Sequence, residues 1–388
     1  MNIMSAGFFL LPLSCLLLLT GSAWAVDGTR TETVVQDFER ESASIETSEH
    51  VAFTQGEGFR LHYVDGSGFA SSGEIVSTWV DTRIPANDLV LSWNFDMPIG
   101  TGAVMDMRVG DEEGKTVSAW YEMARVGFLP DLSRLARTDG VKRDENGSVV
   151  DDTLVLSKKW HKVQYRVTFL SGVSHHSPTL RLIAISSVDR DTPVTYSTYV
   201  PSGKKEAWMR SLPVRWRTQA LEEPSIAGRI CGPTSMSQAM EYLGCNIPTA
   251  DLAAESYDYA NEIFGNWPFL AQEAALHGLK AWVARCQDFK PIEDSIADGR
   301  PVVLSLAFNK GELRNSPLSE TDGHLILCVG MTPEGDLICN DSCSADKICD
   351  HIVYKRDDMA TAWLKRGGAS IFVAKRAGHV ETSGLDKR

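Results

Sequence analysis

The chain has 388 residues, 43% of them apolar and 23% charged, with a formal net charge of -13. That length exceeds what one hydrophobic core ordinarily serves, so two domains are expected, and the composition excludes wholesale disorder. The negative balance argues against a nucleic-acid or anionic-membrane partner, and the cations Arg210, Arg215 and Arg217 are read as a solvated surface.

From Phe8 to Leu19 the residues are almost all apolar, and Ala23-Trp24-Ala25 supplies the small-x-small pattern of a leader cleavage site. The apolar run is shorter than the roughly 20 residues that span a bilayer. Residues 1–25 are therefore read as a signal peptide cut after Ala25, which predicts a secreted or periplasmic protein with no stable membrane insertion after leader removal. Pro12 stands where a lipoprotein signal takes Leu, so Cys15 is not expected to carry a lipid.

Residues 35–200 alternate apolar and polar with the two-residue period of half-buried strands. Leu89, Leu91, Trp93 and Phe95 form one row, Ala103, Met105, Met107 and Val109 a second, and Val163, Tyr165, Val167 and Phe169 a third. Turn formers such as Asp65-Gly66-Ser67-Gly68 and Glu145-Asn146-Gly147-Ser148 separate the runs, and no helical pattern interrupts them. The rhythm predicts an antiparallel β-sandwich of jelly-roll type. Trp79, Trp93, Trp120 and Trp160 invite a glycan-stacking reading, but Trp93 lies in phase with its apolar row, so packing is the expected role and glycan binding the alternative.

A linker is placed at 201–212, where Pro, Gly and basic residues gather. Helix and strand patterns mix over 213–376, and 377–388 carry no periodicity and read as a disordered tail.

The chemistry concentrates in this C-terminal half. Arg229-Ile230-Cys231-Gly232-Pro233-Thr234-Ser235 runs into Met236, Ala239, Met240 and Leu243, one helix face that Gly244 ends. Pro233 suits a first helical turn, so Cys231 is predicted at the N-terminus of a buried helix, where unpaired N–H groups and the helix dipole favour a thiolate. Further on, Asp322-Gly323-His324-Leu325-Ile326-Leu327-Cys328-Val329-Gly330 reads as a buried strand with a histidine at its mouth. The turn Thr332-Pro333-Glu334-Gly335 then leads to Asp336-Leu337-Ile338-Cys339-Asn340-Asp341. An antiparallel hairpin centred between Pro333 and Glu334 would set Cys328 opposite Cys339 and make His324 and Asp341 diagonal neighbours, within reach of one another. Taken singly, His324 reads as a strand-end histidine and Asp341 as a turn residue; together with Cys231 they have the order of a nucleophile, base and orienting acid. His277, beside the helix terminator Gly278, has no such setting.

The succession of Gln219, Cys231-Gly232-Pro233-Thr234-Ser235, Gly265-Asn266-Trp267-Pro268-Phe269, Gly323-His324-Leu325 and Asn340-Asp341 resembles the secreted relatives of cysteine peptidase family 39, the double-glycine leader type of the papain-like superfamily. The resemblance covers about Pro213 to Arg376 and implies a papain-like α+β domain behind the sandwich, with Cys231 as nucleophile, His324 as base, Asp341 as orienting acid and Gln219 as oxyanion donor. Gln219 stands 12 positions before Cys231, farther than in the exporter-linked peptidase domains, and Ser342 and Cys343 follow Asp341 where relatives commonly have proline.

Seven cysteines remain after the leader, all in the C-terminal half. Cys339, Cys343, Cys349 and His351 offer zinc-type ligands, but their spacing matches no common zinc module. Oxidised pairing is the expectation for an exported chain, with Cys343 and Cys349 clamping the loop after Asp341 and Cys328 and Cys339 either paired or left as buried thiols, and neither metal nor cofactor is expected. The reading is an exported cysteine hydrolase of peptide or amide bonds acting on a peptide or protein; the alternative is a glycan- or surface-binding protein with an inactive papain-like half.

Overall fold

The computed structural model describes residues 30–42, 44–129, 139–193 and 203–376. The expected leader and tail lie outside these residues. Among the described residues no helix is long and apolar enough to cross a membrane.

The N-terminal half is a β-rich domain of antiparallel strands, eleven in one continuous network and two, Tyr63–Val64 and Gly68–Phe69, in a separate hairpin. Two long strands hold it together. Val80–Asp96 runs between Thr179–Val188 and the first half of Thr153–Ser171. The second half of Thr153–Ser171 leaves that neighbour and runs between Thr101–Gly110 and Ser72–Ser77. One strand thus serves both layers, which is how a sandwich turns a corner.

All three apolar rows read from the sequence point inward. Leu89, Leu91, Phe95, Ala103, Met105, Met107, Val109, Val163, Tyr165, Val167 and Phe169 are wholly buried, and Trp93 is 1% exposed. Trp160 is buried as well, so the four tryptophans do not share a platform. Only Trp79 and Trp120 stay partly accessible, with the Arg108 guanidinium over both rings, 5.3 and 4.4 Å from their centroids.

The C-terminal half builds a six-stranded antiparallel sheet in the order Leu279–Arg285, Ala369–Lys375, Val302–Phe308, Thr321–Met331, Leu337–Asn340, Ile352–Tyr354. The helix Cys231–Tyr242 packs on the strand Thr321–Met331 and is buried at every residue from Gly232 to Met240. The chain is thus α+β, a β-rich domain followed by a helix-on-sheet domain. The expected linker is partly structure: Lys205–Trp208 is a short helix, and Trp208 and Leu212 are wholly buried in the second core. Ser211 bridges Gly330 because the Thr321–Met331 strand bulges between Cys328 and Gly330 and opens its backbone there.

Between the halves, the edge strand Leu279–Arg285 lies against Val80–Asp96 and Thr179–Val188. Its alternate N–H groups are each taken by a side chain of the first domain: Ala281 by Asn94 Oδ1 at 3.1 Å, Val283 by Ser92 Oγ at 3.0 Å, Arg285 by Ser186 Oγ at 2.8 Å. Asn94 also donates to the Ala281 carbonyl at 2.7 Å. A free sheet edge invites unwanted pairing, and these residues close it without adding a strand. Ser92 and Asn94, which alternation would send to solvent, are buried for that reason.

The neighbouring helix Trp267–Leu276 is also fastened from the other half. Asp152 Oδ2 accepts from the Trp267 N–H at 3.0 Å, a cap supplied across the interface, and Gln272 pairs with both backbone groups of Phe95 at 2.8 and 3.0 Å. Its opposite side supports the site. A side chain at Gly232 would meet Leu270 Cδ1 at 2.9 Å and Gly265 Cα at 3.3 Å, so any larger residue there would press on the neighbouring helix and the loop before it.

Candidate active site

Cys231 is the first residue of its helix, held there because the Ile230 carbonyl takes both the Thr234 N–H at 2.9 Å and its hydroxyl at 2.7 Å. Ser235, one turn on, donates to the Leu325 carbonyl at 3.0 Å and fixes the helix against the strand that carries His324. The Leu325 N–H points back to the Cys231 sulfur at 3.4 Å.

The hairpin register is the one the turn predicts at this end: Leu327 faces Asn340 and Cys328 faces Cys339. The bulge shifts the pairing by one only beyond Cys328. His324 and Asp341 therefore meet, Nε2 to Oδ1 at 2.9 Å, with both side chains buried.

Asp341 is held on every side. Tyr354 donates its hydroxyl to Oδ2 at 2.7 Å, the Cys343 N–H reaches Oδ1 at 3.2 Å, and Trp216 Nε1 bonds the Asp341 carbonyl at 2.8 Å. Next to it, Asn340 bonds Gln238 of the helix that Cys231 begins at 2.9 Å.

These contacts set the electrostatics. Burial would raise the Cys231 thiol, but the His324 imidazole beside it, helped by the N–H groups of Leu325 and Gly232, outweighs burial and brings the thiol below its ordinary value. Burial would likewise discourage a charged His324; the Asp341 carboxylate, with the Cys231 and Cys343 sulfurs, overrides it and raises the imidazole well above its usual range. Asp341 is lowered to about 2, because its bonds to His324, Tyr354 and the Cys343 N–H exceed the cost of burying its charge. A depressed thiol beside a raised imidazole is the condition for a thiolate–imidazolium pair.

Gln219 is 5% exposed and is fastened to the segment after Asp341: its N–H bonds the Ser342 carbonyl at 2.9 Å and its Oε1 accepts from the Ser342 hydroxyl at 2.7 Å. Nε2 donates to the Ala227 carbonyl at 2.9 Å, in the loop that leads to Cys231.

The sulfur chemistry differs from the expectation. All seven described cysteines are free thiols, so Cys343 and Cys349 are not bridged, and of the two alternatives for Cys328 and Cys339 the structure shows buried thiols. Cys343 is turned to the His324 ring instead, and Cys349 lies buried in the short helix Lys347–Cys349. His351 is not gathered with them: Nε2 meets the Leu212 carbonyl at 3.2 Å and Nδ1 meets Asp350 at 2.6 Å.

Two groups of metal-type donors converge among the described residues, His324 with Asp341 and Cys343, and Glu255 with Glu273 and His277. In the second, His277 Nε2 lies 2.9 Å from Glu255 and 3.3 Å from Glu273 and is raised above its ordinary value by them, which makes a self-contained ion-pair cluster. Sequence reasoning missed Tyr354, Trp216 and Cys343 as neighbours of Asp341. Only Cys343 carried a signal, as the residue two positions past Asp341 where relatives differ.

Two family models match the chain, one described as a C39-like peptidase family over residues 211–371 and one as the C39 peptidase N-terminal domain over residues 23–187. Among solved structures, the double-glycine-motif protease of an AMS/PCAT transporter, crystallised with its leader peptide, is similar at 14% identity over 42% of this chain and 92% of that one, with a TM-score of 0.29. The C-terminal CBM6 of LamC from Zobellia galactanivorans is similar at 14% identity over 40% of this chain and all of that module, with a TM-score of 0.21. The xylan-binding module CBM15 gives 14% identity over 40% and 97% with a TM-score of 0.20. No curated protein matches. With its peptidase-like half and its N-terminal domain each matched, the chain belongs to the C39-like peptidase family.

Proposed function

We propose that the chain is an exported cysteine peptidase in which Cys231 is the nucleophile, His324 the general base and acid, Asp341 the residue that orients it, and Gln219 an oxyanion donor. The observation that carries this reading is the contact of one buried imidazole with both groups, the Cys231 sulfur on one side and Asp341 Oδ1 at 2.9 Å on the other.

With Nε2 committed to Asp341, the ring nitrogen left for Cys231 is Nδ1, and the pair rests as thiolate and imidazolium. The thiolate attacks the substrate carbonyl, and the oxygen that becomes negative takes hydrogen bonds from the Cys231 N–H and from the second Nε2 proton of Gln219. His324 passes its Nδ1 proton to the departing amine, leaving an acyl-enzyme. Water, deprotonated by the same imidazole, attacks the thioester and releases the acid. Asp341 keeps the ring in one orientation throughout, and Tyr354 keeps Asp341 in place. Retention of candidates for all four roles disfavours the reading of an inactive domain that merely binds surfaces.

The reading is tested with a peptide library incubated with the protein and read by mass spectrometry. Cleavage is expected from the wild type and is expected to vanish in Cys231→Ala; turnover that survives that substitution would refute it.

A further inference from the structure

We propose that Cys343, His324 and Asp341 form a Zn2+ site that competes with the catalytic arrangement. The Cys343 sulfur, a His324 ring nitrogen and an Asp341 carboxylate oxygen all lie within 4.8 Å of one another. Thiolate, imidazole and carboxylate are the three side-chain ligands zinc prefers, and bonds of about 2.0–2.3 Å in a tetrahedron set such atoms about 3.3–3.8 Å apart. The His324–Asp341 contact, at 2.9 Å, has to open by a few tenths of an ångström on that tetrahedral geometry, and the Cys343 sulfur, within 4.8 Å of both, has to close by about an ångström at most.

The surroundings are already those of a supported ligand set. Tyr354 holds Oδ2 of Asp341 and leaves Oδ1 for the ion, and the Cys343 N–H bond to that carboxylate keeps the loop folded toward it. Cys343 is a free thiol and only half buried, whereas His324 and Asp341 are buried, so the ion enters past the sulfur and a water completes the shell. The other converging group, Glu255, Glu273 and His277, lacks a thiolate and is already closed by ion pairs.

Binding replaces two protons, one from the Cys343 thiol and one from His324 Nε2, and both pass to solvent. No other bond changes. With Nε2 on the metal, His324 loses its bond to Asp341 and can no longer cycle between imidazole and imidazolium. The binding rests on the donor geometry alone; its inhibitory consequence rests on the catalytic reading above.

The test uses the full chain titrated with Co2+, whose thiolate charge-transfer absorption reports a sulfur ligand, followed by displacement with Zn2+. One equivalent is expected to bind, with the band kept in Cys231→Ala and lost in Cys343→Ser together with at least a tenfold loss of affinity. A band that survives Cys343→Ser, a band that disappears in Cys231→Ala, or no binding by the wild type overturns the site. In unmutated protein, Zn2+ is expected to slow maleimide modification of Cys343 at least tenfold and EDTA to restore it; an unchanged rate contradicts the proposal without relying on any variant. On a cleaved peptide, Cys343→Ser should need at least tenfold more Zn2+ for half inhibition. Equal sensitivity alongside intact Co2+ binding would overturn the inhibitory step and leave the peptidase assignment standing.

Discussion

Replacing Asp341 with asparagine removes one charge from the site while keeping its shape and its acceptor oxygen. Asp341 Oδ1 lies 2.9 Å from His324 Nε2. Charge centres about 4 Å apart interact by about 4 kcal/mol at an effective dielectric constant of 20, equivalent to about three pH units of imidazolium stabilisation. The amide keeps part of this through its own hydrogen bond, so a fall of about one to three units in the His324 pKa is expected. Since the thiolate is populated through that imidazolium, the pH at which Cys231 becomes reactive should rise accordingly. The assay is the second-order rate of Cys231 alkylation by iodoacetamide from pH 4 to 10, read by mass spectrometry, which needs no knowledge of the substrate. An asparagine variant whose profile overlays the wild type would refute the reasoning, because Asp341 would then contribute nothing to the charge on His324.

Three further outcomes are expected. Gln219→Ala should lower peptide turnover by about 10²–10³-fold while Cys231 alkylation persists, because alkylation builds no oxyanion; undiminished turnover removes Gln219 from the mechanism. Asn94→Ala strips partners from the N–H and carbonyl of Ala281, both inside the interface between the halves. Two orphaned backbone groups cost about 2–5 kcal/mol, read as a lower denaturant midpoint, and a loss under about 0.5 kcal/mol would contradict the interface. Asp341 is lowered to about 2 in the folded chain against an ordinary value near ~3.9. Its contribution to stability is therefore present above the ordinary value and lost as pH falls through about 2, so the stability gap between wild type and Asp341→Asn should close over that window. A gap that persists at the acid end would contradict the assignment.

Much of the fold was legible because it depends on local periods. The three apolar rows of the first domain are buried as two-residue alternation requires, and the Pro333–Glu334 turn predicts the pairing of Cys328 with Cys339. The helix begins at Cys231 because the Gly-Pro-Thr sequence suits a first turn, and it ends before Gly244, whose φ is +101°.

What escaped the sequence depends on contacts between distant segments. Ser92 and Asn94 alternate as though facing water, and only the second domain's edge strand makes them interior. Tyr354 reaches Asp341 through a third strand whose placement no motif encodes, and Trp216 reaches it from the segment before Gln219. A cysteine count does not fix where each sulfur points: Cys343 faces an imidazole, and Cys328 donates to the Gly330 carbonyl at 3.6 Å.

The account rests on Cys231 being ionised by His324. Limited alkylation with iodoacetamide at pH 6.5, followed by peptide mass spectrometry of all the thiols, measures that directly, with Cys245 and Cys343 as internal standards because both are half buried like Cys231. Cys231 is expected to react at least tenfold faster than either and to lose that advantage in His324→Ala. Equal rates for the three, or a Cys231 rate indifferent to His324, would contradict the account.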